Sequence, residues 1–167
     1  TKVNTRGAED KSILITDQVS TISMILRNVS FSEKNSKLMA KNPFLKRYVS
    51  DLTWVIFLNH EKLALNRKAF NLKKDLIITL TNISHAYEAM SRVDCFLILM
   101  LLLSFGEPKK YPEQQSEKIT YPEFLLSLGS YHGFCVDVLA KLMSLNYPNR
   151  QFFMEVFMLP LIVDTKD

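Results

Sequence analysis

The chain has 167 residues, of which 47% are hydrophobic, and it contains only 4 glycines. The hydrophobic residues are spread along the whole length, so most of the chain is expected to fold around one core. Scarce glycine argues against a turn-rich β-sandwich and favours helices. The formal net charge of +4 permits an acidic partner but is far from a histone-like excess.

The two cysteines, Cys95 and Cys135, lie in apolar stretches with helical spacing. Two thiols do not make a disulfide framework, and buried free thiols are typical of a reducing compartment. The longest apolar run, residues 96–103, is shorter than the ~20 residues that cross a bilayer. No secretory signal is visible, and the chain starts without Met, so we expect a piece of a longer protein.

The first part of the chain predicts a tail followed by helices. Residues 1–11 are polar and charged and are expected to be flexible, ahead of a single domain at 12–167. A helix is predicted over 17–29, because five apolar residues fall on one helical face. Ser32 can cap a short helix that ends near Ala40. The five apolar residues of the longer helix are Val19, Ile22, Ile25, Leu26 and Val29. Leu26 and Val29, with Leu38 of the short helix, are expected to belong to the core.

Asn42 and Pro43 mark the start of the next helix, which is predicted over 44–58. Asn is a favoured helix cap, and Pro at the first helical position loses no hydrogen bond. Residues 59–72 are polar and basic and are predicted to form a long loop. A helix at 73–83 then follows, with its apolar side chains facing inward.

The remaining helices are predicted from their caps. Ser91, with Asp94 three residues later, caps a helix that is apolar nearly all round and is therefore expected at the centre of the core. Residues 106–120 carry prolines and charges with almost nothing to bury, and we expect a disordered loop there. Three helices follow, at 121–128, at 131–144 and, after a cap at Asn149, at 150–159. The fold class is therefore all-α, with about nine helices.

A helix end recurs along the chain. The sequence L-R-N-V-S at 26–30 returns as L-T-N-I-S at 80–84, and 54 residues separate the two. A more degenerate copy, L-A-K-L-M-S, occupies 139–144. Repeats on this scale predict a solenoid of stacked helices.

No arrangement of residues predicts catalysis or cofactor binding. His132 and Cys135 have a spacing that could ligate zinc, but two further ligands are missing from their neighbourhood. The glycines form no phosphate-binding motif, and no nucleophile–base signature or carboxylate pair on an apolar face is present. We therefore expect a protein that is not an enzyme and that takes no cofactor, metal or small-molecule substrate.

Basic residues gather in two stretches, 34–47 and 62–74. In the first, Lys34, Lys46 and Arg47 are candidates for a weak contact with an acidic peptide or a DNA backbone. Solvated helix ends explain these residues equally well. No recognition-helix or aromatic pattern supports reading of bases, so direct DNA contact is expected to be weak or absent.

Asn28 and Asn82 occupy matching positions near the ends of two long helices. In a stack, such positions align along one surface. Either each asparagine ties a neighbouring turn, or both bond the backbone of an extended peptide in a groove that also contains Trp54. In the third copy Lys141 stands in place of the asparagine, so the row of amides is interrupted.

Four motifs in this order resemble the C-terminal armadillo-like region of the large ARID-containing subunit of SWI/SNF chromatin remodellers. The motifs are L-R-N-V-S-F-S-E-K-N, F-L-N-H-E-K, T-L-T-N-I-S and L-A-K-L-M-S-L-N-Y-P-N-R, within about residues 17–154. The fungal form is most similar, because the loop at 59–72 is short. The resemblance implies an armadillo/HEAT-like right-handed solenoid of about three repeats. It also implies a nuclear, non-catalytic scaffold for transcription regulation, packed among other subunits of a remodelling complex.

The last apolar segment, F-F-M-E-V-F-M-L-P-L-I-V, has almost no polar face. Because solenoids expose apolar end faces, Phe153 and Phe157 are predicted to pack on a further repeat or a partner subunit. The alternative functions are a peptide-binding armadillo module of the nuclear-transport or adaptor type and a weak nucleic-acid-binding helical domain. No membrane association is expected.

Overall fold

The part of the chain that the structure describes is built from helices. A computed structural model describes residues 2–58, 68–106 and 130–158, and these ranges contain seven α-helices and no strand. A 3₁₀ turn, Ser84–Ala86, follows the fourth helix, and a turn at Asn146–Arg150 precedes the last. The predicted all-α class is confirmed. The helices are α1 (Lys2–Ser30), α2 (Glu33–Lys41), α3 (Pro43–Leu58), α4 (Ala69–Ile83), α5 (Arg92–Leu103), α6 (His132–Ser144) and α7 (Gln151–Phe157).

The helices lie in two rows. In the first row α1 contacts α4 and α4 contacts α6, while in the second row α3 contacts α5 and α5 contacts α7. The rows are joined by α2, which contacts α1, α3 and α4, and by α4, which contacts α3 and α5. The right-handed armadillo geometry of about three repeats stays a prediction.

The core is centred on α3, α4 and α5. Burial of these large apolar side chains supplies the main favourable free energy of folding, at roughly 25 cal/mol per Å² removed from water. The prediction that α5 lies at the centre of the core is confirmed, because Cys95, Ile98 and Leu101 are buried there. Phe96 and Leu103 on its outer side are exposed. None of the described helices combines the length and apolarity needed to cross a membrane. The large apolar side chains with the least exposure are Val49, Leu72, Ile77, Leu80, Ile83, Tyr87, Ile98, Leu101, Val138, Leu142 and Phe153.

The long helix α1 begins earlier than predicted and buries a different face. Its backbone is helical from Lys2, through the segment predicted as a tail, although flexibility of that segment stays a prediction. The prediction that Val29 and Leu38 belong to the core is wrong, because Val29 on α1 and Leu38 on α2 are both exposed. Of the predicted stripe on α1, only Val19 and Leu26 pack against the core.

The face of α1 that is buried carries small hydroxyl residues, Thr16, Ser23 and Ser30, and is rotated by roughly a quarter turn from the apolar stripe. Small side chains let the next helix approach closely. Their hydroxyls are satisfied, because Thr16 donates to the carbonyl of Ser12 at 2.8 Å and Ser23 shares a 2.6 Å hydrogen bond with the Tyr48 hydroxyl of α3. Burial of these polar groups therefore costs little.

Two predicted helix caps are confirmed. The Asn42 side-chain oxygen accepts hydrogen bonds from the backbone N–H groups of Phe44 and Leu45, at 2.9 and 3.2 Å, which starts α3. At the start of α5, the Ser91 hydroxyl accepts from the backbone N–H of Asp94 at 3.3 Å. Both caps satisfy N–H groups that have no partner within the helix.

Asn149 does not cap the last helix as predicted. Its side chain is fully buried and accepts from the backbone N–H of Ala89 at 2.7 Å, while it donates to the carbonyls of Tyr87 and Leu142 at 2.7 and 3.3 Å. One amide therefore fixes the loop before α5 against the end of α6.

The helix α4 begins earlier than predicted. Its first residue is Ala69, which lies within the segment 59–72 that was expected to form a loop.

Several predictions lie outside the described residues. These are the loop at 59–67, the part of the predicted disordered segment beyond residue 106, the helix at 121–128 and the end of the last helix beyond residue 158.

Replacing Asn149 with alanine is expected to lower the free energy of unfolding by about 3 kcal/mol. The change leaves the Ala89 N–H and the Tyr87 carbonyl buried without their partner, and each unsatisfied group costs about 1–3 kcal/mol. Urea unfolding of the two proteins measures the difference. Asn35→Ala is the control, since Asn35 makes one 3.3 Å bond near the surface and its loss should cost below about 1 kcal/mol. Equal losses for both variants would contradict the assignment.

Candidate interaction surfaces

Asn82 is used inside the chain. Its side-chain amide donates a 2.8 Å hydrogen bond to the hydroxyl of Ser30, at the end of α1. Ser30 is buried and donates its own proton to the carbonyl of Arg27 at 2.7 Å. The asparagine therefore fastens α4 to the end of the preceding helix in the first row, which is the first of the two roles considered for it.

Asn28 lies at the surface of α1. Its side-chain oxygen accepts hydrogen bonds from Nε and Nη2 of Arg27 at 3.3 and 3.1 Å. Trp54 belongs to α3 in the second row, and the groove that contains it includes neither asparagine among its lining residues. The structure therefore does not bring Asn28, Asn82 and Trp54 together into one groove.

Lys141 takes over the tie in the third copy of the motif. Its ammonium group donates to the backbone carbonyl of Thr81, near the end of α4, at 3.1 Å, and pairs with Asp137 one turn earlier at 2.6 Å. The last carbonyls of a helix lack partners within the helix, and a positive charge there is favourable. Lys141 thus joins α6 to the end of α4, as Asn82 joins α4 to the end of α1.

An ion pair that the sequence analysis missed joins α1 to α4. The Arg27 guanidinium lies 2.6 Å from the Asp75 carboxylate, and the Asp75 side chain is only 9% exposed. Asp75 belongs to the same face of α4 as Leu72, Leu76 and Thr79. Two features of the sequence could have indicated this ion pair: the carboxylate among the inward-facing residues of α4, and the arginine inside the repeated L-R-N-V-S motif.

The predicted basic residues are dispersed rather than gathered into one site. Lys34 is exposed, Lys46 places its ammonium 5.5 Å from the ring centre of Tyr87, and Arg47 lies 3.4 Å from Asp51 on the same helix. Part of the positive charge is therefore balanced or directed toward an aromatic ring. Arg47 also lines the groove that contains Trp54, so these two candidates do lie on one surface.

The two phenylalanines proposed for the C-terminal surface have different environments. Phe153 is fully buried in the core of this chain, so its assignment to a partner-binding surface is wrong. It packs there because α7 lies against α5. Phe157, one turn later, is exposed and its ring stacks on that of Phe153 at 6.5 Å between centroids.

Cys95, Cys135 and His132 lie in structural surroundings. Burial raises the pKa of the Cys95 thiol to about 12, with a smaller contribution from the Asp94 carboxylate, and burial raises the pKa of Cys135 to about 11. Both thiols therefore stay protonated and weakly nucleophilic at neutral pH. His132 lies 3.0 Å from the carbonyl of Phe105, and the described residues contain no group of three His, Cys, Asp or Glu side chains that could hold a metal.

These contacts define an all-helical packing domain, in which polar side chains at matching positions join each later helix of the first row to the one before. The chain matches no family model. Over 163 residues, 95% of its length, it is 52% identical to the SWI/SNF chromatin-remodeling complex subunit SWI1 of Saccharomyces cerevisiae. The chain spans 12% of the length of that relative. The predicted resemblance to a subunit of SWI/SNF remodellers is confirmed.

Replacing Arg27 with methionine is expected to destabilise the fold by about 3 kcal/mol, since it leaves the buried Asp75 carboxylate without its partner. Combining it with Asp75→Asn should restore most of the loss, because the neutral amide tolerates burial better than a charge. Urea unfolding of the single and double variants measures the coupling.

The matched control for this cycle is Lys37→Ala. Lys37 and Glu33 also lie 2.6 Å apart, but their side chains are 59% and 81% exposed. Loss of this surface pair should change the free energy of unfolding by less than about 0.5 kcal/mol. Independent effects of Arg27→Met and Asp75→Asn would show that the buried pair does not act as a unit.

Stability is expected to fall as pH rises above 9. The Cys95 thiol ionises near pH 9 in the unfolded chain but only near 12 in the folded protein, so the stability it contributes is complete below pH 9 and is lost progressively above it. Between pH 8 and 10.5, Cys95→Ala should reduce this loss by about 2 kcal/mol. Urea unfolding under reducing conditions at both pH values measures it, and parallel losses in the two proteins would refute the assignment.

Proposed function

We propose that the chain is a non-catalytic protein–protein scaffold within the large subunit of a SWI/SNF-type chromatin-remodelling complex. The observation that carries the proposal is the 52% identity to the yeast SWI/SNF subunit along 95% of the chain. On this proposal the chain acts in the nucleus, contacts other subunits of the complex and serves transcription regulation. Its two rows of helices are an armadillo-like right-handed solenoid of about three repeats.

The outer face of α1 supports a role in assembly. Ile22, Ile25 and Val29, three residues of the apolar stripe that the sequence pattern predicted, are exposed, and Leu14 and Ile15 are exposed on the same side of the helix about two turns earlier. A group of exposed apolar side chains on one side of a helix marks a contact surface. Its spacing of three and four residues fits the side of another helix. The stripe is therefore assigned to contact with another part of the complex.

A peptide-binding module has less support. An extended peptide would need free amides along the first row, but Asn82 donates to Ser30, and Lys141 donates to Thr81. Replacing these residues is therefore expected to affect the packing of helices. A DNA-binding function also has less support, because the candidate basic residues do not form one site: Lys34 is exposed on α2, whereas Lys46 lies over the Tyr87 ring and Arg47 lines the groove that contains Trp54.

The proposal is tested by placing Ile22→Glu and Ile25→Glu together in the full-length subunit and isolating the remodelling complex. Because both side chains are exposed, the free energy of unfolding of this chain should change by less than about 1 kcal/mol. A buried charge at the contact should nevertheless lower recovery of the subunit with the complex by about tenfold or more. Quantitative mass spectrometry of the purified complex measures recovery.

Thr21→Glu is the matched control, because Thr21 is an exposed polar residue on the same helix beside the stripe. This variant should enter the complex as well as the unchanged subunit. Full incorporation of the doubly substituted subunit would contradict a role for the α1 stripe in assembly.

A further inference from the structure

A groove runs between α3 and the first turns of α5, in the second row of helices. Its volume is about 680 Å³. From α3 it is lined by Phe44, Arg47, Asp51 and Trp54, which recur at intervals of three or four and so follow one helical face for about 15 Å. We call this surface the α3/α5 groove.

The floor of the α3/α5 groove is already complete. Leu97 is buried beneath it, and the Asp94 carboxylate accepts hydrogen bonds from the hydroxyls of Ser50 and Ser91 and from the backbone N–H of Met90. Because this buried charge is satisfied by donors of the chain itself, it requires no bound cation. Recognition in the groove must therefore come from its walls.

The walls are apolar at both ends. Phe44 is 83% exposed at one end of the α3 face, and Trp54 is 47% exposed at the other. Across from them, Met90 and Val93 are each about half exposed. Trp and Arg are enriched among the residues that supply most of the binding energy of protein interfaces, and Met is enriched in the composition of such interfaces. The two aromatic ends are suited to two separate apolar anchors.

Between these ends lies a positive charge with unused donors. Arg47 contacts Asp51 through Nε alone, at 3.4 Å, and within the described residues its two terminal nitrogens have no hydrogen-bond partner. Such an exposed pair within one helix is weak, whereas a guanidinium can bind a second carboxylate with two parallel hydrogen bonds. Arg92, exposed between two lining residues, adds positive charge at the rim.

We propose that the α3/α5 groove binds an amphipathic helix of a partner protein, with two large apolar side chains about two turns apart and a carboxylate between them. Two turns of helix span about 11 Å, which fits between Phe44 and Trp54. The described part of the chain offers no strand edge for addition of a β-strand, and the straight face formed by Phe44, Arg47 and Trp54 along α3 matches the side of a helix. The carboxylate is placed opposite Arg47. This inference rests on the proposed function only in that the chain acts by holding other proteins.

Trp54 provides the test, because it is the only tryptophan in the chain. The probes are synthetic alanine-rich helical peptides with two leucines two turns apart and one residue varied between them. The peptide with glutamate there should shift Trp54 fluorescence to shorter wavelength, saturably, and bind about fivefold more tightly than the lysine peptide. A peptide with both leucines replaced by alanine should not bind.

Variants of the chain separate the two parts of the inference. Arg47→Glu should reverse the preference, so that the lysine peptide binds more tightly. Lys34→Glu makes the same charge change at an exposed residue outside the groove and should leave the preference as it was. Phe44→Ala should weaken binding about tenfold without lowering the unfolding temperature, because the ring is mostly exposed.

Absence of binding by the glutamate peptide, equal binding of the glutamate and lysine peptides, or an unchanged preference in Arg47→Glu would each overturn the inference. These outcomes would leave the proposed scaffold function standing, because that function is tested by incorporation of α1 variants into the complex. Conversely, normal incorporation of the α1 variants would not alter peptide binding at the α3/α5 groove.

Discussion

The position of α4 depends on the ion pair between Arg27 and Asp75. This helix contacts helices of both rows, so a carboxylate on its inward face must be paired or the packing would be strongly unfavourable. The facing side of α1 presents Thr16, Ser23 and Ser30, whose small side chains let α4 approach closely. The charge pair at 2.6 Å and the hydrogen bond from Asn82 to Ser30 favour one register between the two helices. The apolar core supplies the stabilising free energy, and these polar contacts favour the face of α1 that meets α4.

Polar side chains also join the later helices of the first row. Asn82 and Lys141 each reach the end of the preceding helix, where carbonyl and hydroxyl groups lie beyond the regular helical hydrogen bonds. The side chains differ in length and charge, yet the contact they make is equivalent. An asparagine suits the hydroxyl of Ser30, whereas a lysine suits a backbone carbonyl farther away. The same position of the repeated motif therefore contacts the preceding helix in both copies, although the side chain and its acceptor differ.

The sequence was sufficient where local rules decide structure. The caps at Asn42 and Ser91 depend on neighbouring backbone N–H groups, and the helical spacing of apolar residues in α4 determines its inward face without reference to other elements. It was insufficient for α1, because the apolar stripe there predicts burial but cannot say whether this segment of chain supplies the covering partner. Phe153 shows the reverse case: an apolar run without a polar face does not reveal which of its rings turns inward.

Polar contacts between residues far apart in the chain were the hardest part of the candidate surfaces to predict from the sequence. Asn149 has the sequence context of a helix cap, and only the tertiary fold places it beside Tyr87 and Ala89. The same holds for Asn82, whose two possible roles could be separated only by locating Ser30. The sequence shows that Arg47 and Trp54 lie on one face of the same helix. It does not show the groove, because the opposite wall belongs to α5.

The joints between helices are of similar reach along the chain. Four polar contacts connect residues that are 48 to 60 positions apart in the chain. They are Arg27 with Asp75 (48), Ser30 with Asn82 (52), Thr81 with Lys141 (60) and Ala89 with Asn149 (60). Each closes a loop of about one repeat, so the chain entropy lost in closing successive loops is nearly constant. Order can therefore spread from one joined pair of helices to the next, and loss of one contact is expected to loosen the helices nearest to it first.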